Sequence, residues 1–499
     1  MSFLNLHMYT LAAPLVGAML LFAVGRFGRR LVTPLVFAAL SLSLAASVLV
    51  FLEVLTAGPF SYTVGNWEAP YGIELVVDHL GSLMNLLIAS VALTACVSSL
   101  RRSSAELPER RHQFFTLYLI LIAGMHGLAL TGDAFNLYVL LEITSITTYG
   151  LIALGKGRAP LSSFNYIVMG SIGACFYLLG IGYLYILTGT LNMADLHRII
   201  PLLDGRGAAL ATAFAFLMVG LWIKMAFFPL HVWLPNAYTD MPDGAAVLIA
   251  PLMTKVTVFL MIRVMFSIFS PVYEFIQHVA VQQIIVGVAA VGIVCASAMA
   301  LGQKDLRRML TYIIIAEVGY MVGGLWLANA KGMTGAILHI VNDALMTLCL
   351  FLAAAAIAHR TGALGFERLG GLYRRMPLTM AAFTVGALSM IGVPPTCGFF
   401  SKWYLLLGGI EAGQWLYVGA LLFSSLVNAV LFFRIIEIAY FRTPAEDGPV
   451  HEPGKGPRRE APQALLQPLV VTAAALIGVG LATGPLVERV IRFALPVGY

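Results

Sequence analysis

The sequence predicts an all-α polytopic membrane protein with about fourteen transmembrane helices, and its composition is the first reason. Of the 499 residues, 60% are hydrophobic and 11% are charged, whereas roughly 25% of a soluble domain is charged. A soluble chain of this length would divide into about three domains, each with a polar surface. The 30 basic and 24 acidic residues are too few to cover three such surfaces. Composition therefore excludes a soluble enzyme, a nucleic-acid binder and a disordered scaffold.

The second observation is a series of apolar segments, each near the 20 residues that cross a bilayer. The fourteen predicted spans are residues 7–25, 31–55, 75–99, 113–131, 133–154, 162–188, 208–228, 244–269, 280–301, 308–328, 332–358, 376–410, 414–441 and 465–488. The first span is too long and too weakly flanked for a signal peptide, and no cleavage site follows it.

The third observation is the charge of the connecting loops. When the loops are assigned alternately to two sides, one side collects 20 of the 30 Lys and Arg residues, the other side collects 5, and the remaining 5 lie within spans. Loops on the inner side of a membrane carry such an excess. The bias predicts a multi-pass protein of the cell membrane with both termini on the outer side. Residues 443–463, rich in Pro, Gly and charge, are predicted to be a solvated inner linker before the last helix.

No motif in the chain indicates a metal site or a cofactor. The five cysteines show neither metal-ligand spacing nor a disulfide framework, and we expect small buried apolar residues at these positions. They are Cys96, Cys175, Cys295, Cys349 and Cys397. A nucleotide-binding loop and a haem motif are also absent from the sequence.

Several ionisable residues occur deep in apolar runs, where each costs at least roughly 2.5–3.5 kcal/mol on insertion scales. Such residues are functional candidates that need a charged partner or water. They are Glu142, Lys224, Lys255, Glu317, His339, Asp343 and Lys402. A purely structural buried ion pair is the alternative, although it is a poor way to gain stability.

Four other ionisable residues in the spans have simpler explanations. Arg434 and Glu437 lie near the predicted inner end of their span, where snorkelling or a local pair explains them. For Arg263, the sequence leaves both snorkelling and a functional role open. His126, alone on an apolar face, is predicted to be a hydrogen-bonded core residue.

Two of the spans contain helix breaks. Pro229 and Pro235 bracket five residues shortly after Lys224, and Gly392 and the Pro394-Pro395 pair precede Lys402. Proline removes a backbone hydrogen bond, and the carbonyl groups that it frees in a membrane must face protein or water. Many transporters build their midplane site from such broken helices.

The spacing of these features predicts an internal repeat. Glu142 in span 5 and the broken span 7 recur five spans later as Glu317 in span 10 and the broken span 12. Two units offset by five spans have opposite orientations, which is the inverted repeat of transporters. The predicted units are an N-terminal three-helix segment (1–112), a first repeat of spans 4–8 (113–269), a second repeat of spans 9–13 (280–441), and the inner linker with the last helix (442–499).

The chemistry of these residues suits proton transfer. Burial favours the neutral form of a lysine, whereas a nearby carboxylate favours its protonated form, so a movable Glu–Lys pair can hold or release a proton. His339 and Asp343, four residues apart, share a helix face on which a carboxylate beside an imidazole can pass a proton near neutral pH. The relay candidates are Glu142, Lys224, Lys255, His339 and Lys402, and the secondary candidates are Glu317, Asp343, His231 and Thr347. Lysines offer no oxygen ligands to Na⁺, but the three carboxylates do, so Na⁺ stays open.

These motifs together resemble a known family, the antiporter-like subunits of NADH:quinone oxidoreductase (complex I), of Mrp-type Na⁺/H⁺ antiporters and of membrane-bound hydrogenases. The resemblance covers residues 113 to about 440. The matching stretches are GDAFNLYVLLEI, IKMAFFPLHVWLPNAY, LMTKV, KDLRRMLTYIIIAEVGYM and GVPPTCGFFSKW. The stretch GNWEAPYGIELVVD is most similar to the Mrp D-type and hydrogenase-type members.

The resemblance implies fourteen helices with inverted repeats in spans 4–8 and 9–13. It implies that Glu142 and Lys224 form a modulating ion pair, that Lys255 and His339 bridge two half-channels, and that Lys402 is the terminal proton site. The chain departs from the family pattern at two positions. Many members carry a Lys where this chain has Thr347, and a neutral polar residue is usual at the position of Glu317.

The main hypothesis is therefore a proton-translocating, or Na⁺/H⁺-antiporting, membrane subunit of a multi-subunit complex, with H⁺ or Na⁺, lipid and other membrane subunits as its partners. The alternative is a proton-pumping subunit of a quinone-reducing or hydrogenase complex, driven by electron transfer in partner subunits. A self-sufficient antiporter is also open. An oxidoreductase with its own quinone site near His231, Trp233 and Tyr238 is less favoured, since paired broken helices suit transport better. A structural scaffold would not need so many midplane charges.

Overall fold

The computed structural model describes residues 5–24, 29–203, 205–270, 273–442 and 460–495. Nearly all of this part of the chain is helical, because a helix satisfies its backbone polar groups internally where a bilayer offers no water. The predicted inner linker lies outside the described residues except for residues 460–463, and so do the two ends of the chain.

The helices and strands follow the apolar segments of the sequence. In the first half of the chain they are α1 (Leu6–Val24), α2 (Val32–Ala57), β1 (Phe60–Thr63), β2 (Glu74–Val77), α3 (His79–Glu106), α4 (Arg111–Leu130), α5 (Ala134–Ala153), α6 (Ala159–Thr188), α7 (Met193–Ile199), α8 (Gly207–Lys224), α9 (Leu234–Asp240) and α10 (Asp243–Arg263). They continue with α11 (Glu274–Gln277), α12 (Val279–Leu301), α13 (Leu306–Trp326), α14 (Ala330–Thr361), α15 (Leu372–Arg375), α16 (Pro377–Ile391), α17 (Cys397–Glu411), α18 (Trp415–Phe441), α19 (Gln463–Leu481), α20 (Thr483–Leu486) and α21 (Arg492–Ala494).

The number of spans agrees with the prediction. Among the described residues, thirteen helices are long and apolar enough to cross a membrane, and each corresponds to one predicted span. The fourteenth predicted span, 376–410, is divided between α16 and α17. The other predicted break separates α8 from α9. The fold class, with two broken helices, is confirmed.

One boundary prediction is wrong. The span predicted to begin at residue 75 begins at His79, because Glu74–Val77 pairs as an antiparallel strand with Phe60–Thr63. Asp78 then starts α3 by accepting a hydrogen bond from the Gly81 N–H group at 2.7 Å. Such a cap satisfies one of the free N–H groups at a helix start.

Contacts near the helix ends define two surfaces of the helix bundle. On one surface, Ser99 donates to the carbonyl oxygen of Gly244 at 2.9 Å, and Asp305 pairs with Gly365. On the other surface, Leu75 pairs with Thr131 and Asp133 pairs with Asn192. We call the first the basic surface, because it includes the basic loops 154–158 and 302–305, and the second the opposite surface.

Burial separates central from peripheral helices. Every residue of α10 is buried, and nearly all of α13 and α14 is buried as well. In contrast, α6 has an apolar face directed away from the bundle, on which Ile186 is 82% exposed. Cys175 is exposed on that same helix, so the prediction of a buried cysteine is wrong there. His126 is a hydrogen-bonded core residue as predicted, since it contacts Ser43 and Asn85.

Buried ion pairs hold both ends of the central helix α10. At the basic surface, Asp243 pairs with Arg307 of α13, and Arg307 also donates to the carbonyl oxygen of Met241 at 3.2 Å. At the opposite surface, Arg263 donates to Asp78 Oδ1 at 2.6 Å. Arg263 is only 8% exposed, so it is a paired residue rather than a snorkelling one.

We expect Arg307→Met to destabilise the protein strongly. The substitution removes the guanidinium that faces the buried Asp243 carboxylate, and breaking a buried pair costs about 3–5 kcal/mol. The control is Lys331→Met, which breaks the half-exposed pair with Glu411 and costs about 0–1 kcal/mol. Thermal denaturation in detergent measures both variants. Equal shifts of the denaturation midpoint would contradict the structural role of Arg307.

The Asp78–Arg263 pair should make stability depend on acid pH. Burial alone raises the pKa of the Asp78 carboxyl group, but Arg263 and the Gly81 N–H group lower it further, to below its usual 3.8. A depressed carboxyl pKa stabilises the folded chain above the unfolded pKa, and this contribution is lost as pH falls through the folded pKa. We expect Asp78→Asn to lower the denaturation midpoint at neutral pH, with the gap to wild type closing below pH 3.8. Melting curves across a pH series test this, and a gap that persists in acid would refute it.

Candidate functional site

The ionisable residues of the spans form three clusters in the interior of the bundle. The first cluster consists of Glu142, Ser145 and Lys224. The central cluster consists of Lys255, Asp343 and Thr347. The histidine cluster consists of Glu317, His339, Ser401 and Lys402.

The first cluster joins α5 to α8. Lys224 Nζ lies 2.9 Å from Glu142 Oε1 and donates to Ser145 Oγ at 2.7 Å. The Lys224 side chain is 4% exposed, whereas the Glu142 side chain is 27% exposed. The lysine is therefore enclosed, while its carboxylate partner reaches the side of the bundle.

The central cluster joins α10 to α14. Lys255 Nζ lies 2.8 Å from Asp343 Oδ2, and both side chains are fully buried. Thr347 Oγ1 donates to Asp343 Oδ1 at 2.9 Å and lies 3.4 Å from Lys255 Nζ. At the position where many related chains carry a second lysine, this chain therefore has a neutral hydroxyl that contacts both members of the ion pair.

The histidine cluster is built around a carboxylate shared by two bases. Glu317 Oε2 lies 2.5 Å from His339 Nε2, and Glu317 Oε1 lies 3.5 Å from Lys402 Nζ. The other ring nitrogen, His339 Nδ1, lies 2.9 Å from Ser401 Oγ. A neutral imidazole can donate to the carboxylate and accept from the hydroxyl, and a protonated imidazole can donate to both. The site thus accommodates either protonation state of His339.

Helix breaks position both lysines of the broken spans near the carboxyl end of a half-helix. Lys224 is the last residue of α8, and Lys402 Nζ donates to the carbonyl oxygen of Met390 at the end of α16 at 2.6 Å. These ends carry free carbonyl groups and a partial negative charge that favours a cation. Ala226 and Gly392, just after the half-helices, have positive φ angles of 60° and 95°. A Cβ atom at Gly392 would lie 3.4 Å from Lys402 Cδ, so glycine also leaves room for the lysine stem.

The three clusters balance their charge internally. Each of the lysines Lys224, Lys255 and Lys402 has a carboxylate partner, and the carboxylates are Glu142, Asp343 and Glu317. With a neutral His339 the formal charges sum to zero. Unpaired charges in a low-dielectric interior are costly, so the extra acid at Glu317 matches the lysine that it contacts.

The connections between the clusters differ. His339 and Asp343 are four residues apart on α14, a rise of about 6 Å, so one helix turn links the central and histidine clusters. Between the first and central clusters, Thr148 of α5 meets Met253 of α10, with Oγ1 and Sδ 3.8 Å apart. A proton crossing that interval would need water, because thioether sulfur is only a weak acceptor.

The structure brings together eight of the nine residues predicted from the sequence. The exception is His231, which stacks on Phe228 with ring centroids 5.3 Å apart and, within the described residues, makes no ion pair with the clusters. Sequence reasoning missed Ser145 and Ser401, whose only signal is a hydroxyl close in sequence to Glu142 or Lys402. It also ranked Glu317 and Asp343 as secondary, although each is the counter-ion of a buried lysine.

The described residues contain no group of three or more His, Cys, Asp or Glu side chains that could hold a metal ion. The pairs and triads described above place titratable groups within hydrogen-bond distance of one another, which is the geometry that proton transfer between side chains needs.

Comparisons with known proteins support a common family. Residues 131–428 match the family described as NADH:quinone oxidoreductase/Mrp antiporter, transmembrane. The chain is 42% identical over 471 residues to NADH-quinone oxidoreductase subunit N of Desulforudis audaxviator, covering 92% of each chain. It is 32% identical over 454 residues to the D-type Na⁺/H⁺ antiporter subunit of Alkalihalophilus pseudofirmus, covering 90% of this chain and 89% of the relative.

The fold is also similar to solved structures. One is a chain of the membrane-bound sulfane sulfur reductase, an archaeal respiratory membrane complex, with a TM-score of 0.89 and 29% sequence identity. The match covers 97% of this chain and 96% of that chain.

The Lys255–Asp343 pair should show strong energetic coupling. Lys255→Met or Asp343→Leu alone leaves one buried charge without its partner, and we expect each to cost about 3–5 kcal/mol. The double variant should cost less than either, because no charge remains unpaired. Denaturation in detergent of all four proteins gives the coupling energy. The same cycle at the half-exposed Lys331–Glu411 pair is the control, and additive effects at Lys255–Asp343 would contradict the prediction.

Proposed function

This chain belongs to the NADH:quinone oxidoreductase/Mrp antiporter transmembrane family, and from that premise we propose that it moves protons across the membrane as one subunit of a multi-subunit complex. The observation that carries the proposal is the set of three lysine–carboxylate pairs in the bundle interior. Ionisable groups inside a membrane are rare and are retained for ion or proton pathways. Three such pairs on six different helices exceed what a structural role requires.

The proposed relay consists of Glu142, Lys224, Lys255, His339 and Lys402. Lys224 holds its proton while Glu142 is 2.9 Å away. If Glu142 turns toward its exposed side, burial favours the neutral lysine, and the proton passes through water toward the central pair. Asp343 and Glu317 act as counter-ions that hold the next two sites, and Thr347 bridges the central pair.

The second half of the relay depends on His339. Its ring lies between the Glu317 carboxylate and the Ser401 hydroxyl, so it can take up a proton on one nitrogen and release one from the other. Lys402 then receives the proton at the end of α16. His231 stays a secondary candidate on the approach to Lys224, because it lies in the break between α8 and α9.

We further propose that residues 113–269 and 280–441 are inverted repeats, flanked by units 1–112 and 442–499. In support, each of the two proposed repeats has one broken helix and one lysine–carboxylate pair at that break. The protein is a multi-pass membrane protein. Its termini are proposed to lie on the outer side of the cell membrane, since 20 of the 30 Lys and Arg residues of the sequence fall in loops that the alternating assignment places on the inner side.

Two driving reactions are consistent with the relatives. The likeness to a D-type Na⁺/H⁺ antiporter subunit favours exchange of protons against Na⁺. The likeness to an NADH-quinone oxidoreductase subunit N favours proton pumping that electron transfer in partner subunits drives. The same relay serves both, because neither reaction requires a redox group in this chain.

We expect Lys224→Ala to lower proton translocation by about 10²-fold, as for loss of a proton-transferring side chain. The chain is reconstituted into liposomes together with its copurifying subunits, and a pH-sensitive dye follows collapse of a pH gradient after addition of Na⁺ or K⁺. Lys331→Ala, which alters a half-exposed lysine, is the matched control and should behave as wild type.

The outcomes separate the candidate reactions. A Na⁺-dependent response that Lys224→Ala abolishes supports cation/proton exchange. A response that requires the copurifying subunits and an electron donor supports a driven pump. A response that is unchanged in Lys224→Ala would refute the relay.

A further inference from the structure

Three buried tyrosines between the first cluster and the basic surface have hydroxyl groups without a hydrogen-bond partner among the described residues. They are Tyr149 of α5, Tyr166 of α6 and Tyr238 of α9. Their exposed fractions are 7%, 1% and 1%. A buried hydroxyl that is left unsatisfied costs roughly 1–3 kcal/mol, and native proteins usually satisfy such groups with ordered water.

The three rings belong to one aromatic cluster. Tyr149 and Tyr166 meet edge to face with centroids 4.7 Å apart, and Tyr166 stacks on Trp233 at 3.7 Å. Trp233 in turn meets Tyr238 edge to face at 6.4 Å, and its indole N–H donates to the carbonyl oxygen of Ile223 at 3.0 Å. Rigid rings from three elements therefore hold the three hydroxyls in place, while the indole N–H is already satisfied.

The aromatic cluster connects the first cluster with the basic surface. Tyr149 lies seven residues, or two helix turns, after Glu142 on α5, a rise of about 10 Å. At the other end, Tyr238 is two residues from Asp240, a half-buried residue of the basic surface that accepts a hydrogen bond from Ser162 Oγ at 2.5 Å. The free hydroxyls thus lie between a titratable surface group and the enclosed ion pair.

Gly170 of α6 makes room for the Tyr149 hydroxyl. A Cβ atom at Gly170 of α6 would lie 1.9 Å from the Tyr149 hydroxyl oxygen. Any larger residue at Gly170 would displace this oxygen. The Tyr149 hydroxyl therefore packs against α6 at a position that only glycine leaves open.

We propose that Tyr149, Tyr166 and Tyr238 hold a chain of water molecules along which protons pass between Asp240 and the Glu142–Lys224 pair. The proposal rests on the proposed function and assigns its proton pathway on the basic-surface side. Each hydroxyl accepts a proton from one water while it donates its own to the next, so that no tyrosine needs to ionise. The tyrosine hydroxyls and the water molecules together carry the proton.

The first test replaces each hydroxyl without changing the ring. For Tyr149→Phe, Tyr166→Phe and Tyr238→Phe we expect the denaturation midpoint to be unchanged or raised, because the hydroxyl has no protein partner to lose. Translocation in liposomes should fall by about tenfold, as for loss of one bridging hydrogen bond. The matched control is Tyr177→Phe, a buried tyrosine of the same helix α6 whose hydroxyl donates to Ala134 at 3.5 Å, and it should translocate as wild type.

The second test detects the water without measuring activity. Radiolysis of bound water produces hydroxyl radicals that oxidise adjacent side chains, and mass spectrometry of the intact complex compares the oxidation of individual tyrosines. We expect the three tyrosines to be oxidised several-fold faster than the equally buried Tyr118 and Tyr177. Oxidation at the same rate as these controls means a dry cluster and overturns the proposal.

Lys224→Ala, measured in the same preparation, separates the two proposals. If Lys224→Ala abolishes translocation while all three Phe variants retain it, the water chain is wrong and the relay stands. If Lys224→Ala also retains translocation, the relay itself fails.

Discussion

The ion pair between Lys255 and Asp343 is the constraint around which the interior is organised. Both side chains are fully buried and their charged atoms are 2.8 Å apart, so neither helix can rotate or slide without separating two charges in a low dielectric. The pair fixes α10 against α14. Because α14 also carries His339 one turn away, the same contact sets the position of the histidine cluster.

The remaining buried charges each have a partner, because a bilayer offers no water to solvate them. The central helix α10 is anchored at its ends by Asp243 and Arg263, each with a partner on another helix. The broken helices stabilise two further charges, because the ends of their half-helices bring free carbonyl groups to Lys224 and Lys402. The carboxylates that pair with each buried lysine stabilise its charge. In the proposed transport, the same groups accept its proton.

Sequence reasoning recovered the spans because an apolar run of membrane length is a strong local signal. It also recovered the Glu142–Lys224 pair, through resemblance. It could not assign Asp343 to Lys255, because the two residues are 88 positions apart in the sequence and only the packing of α10 against α14 brings them together. Arg307 was counted among loop charges, since only the fold shows that it turns inward to Asp243. The strand at Glu74 was read as the start of a helix because its residues are as apolar as the span that follows.

The equality of lysines and carboxylates in the interior limits how much charge the bundle can store. One additional proton, on His339 or on any of the carboxylates, leaves a single uncompensated positive charge, and a second would face both burial and mutual repulsion. In the proposed relay, one proton can therefore enter the interior only as another leaves it. The charge balance itself therefore opposes the passage of several protons in succession down a gradient, without a conformational gate.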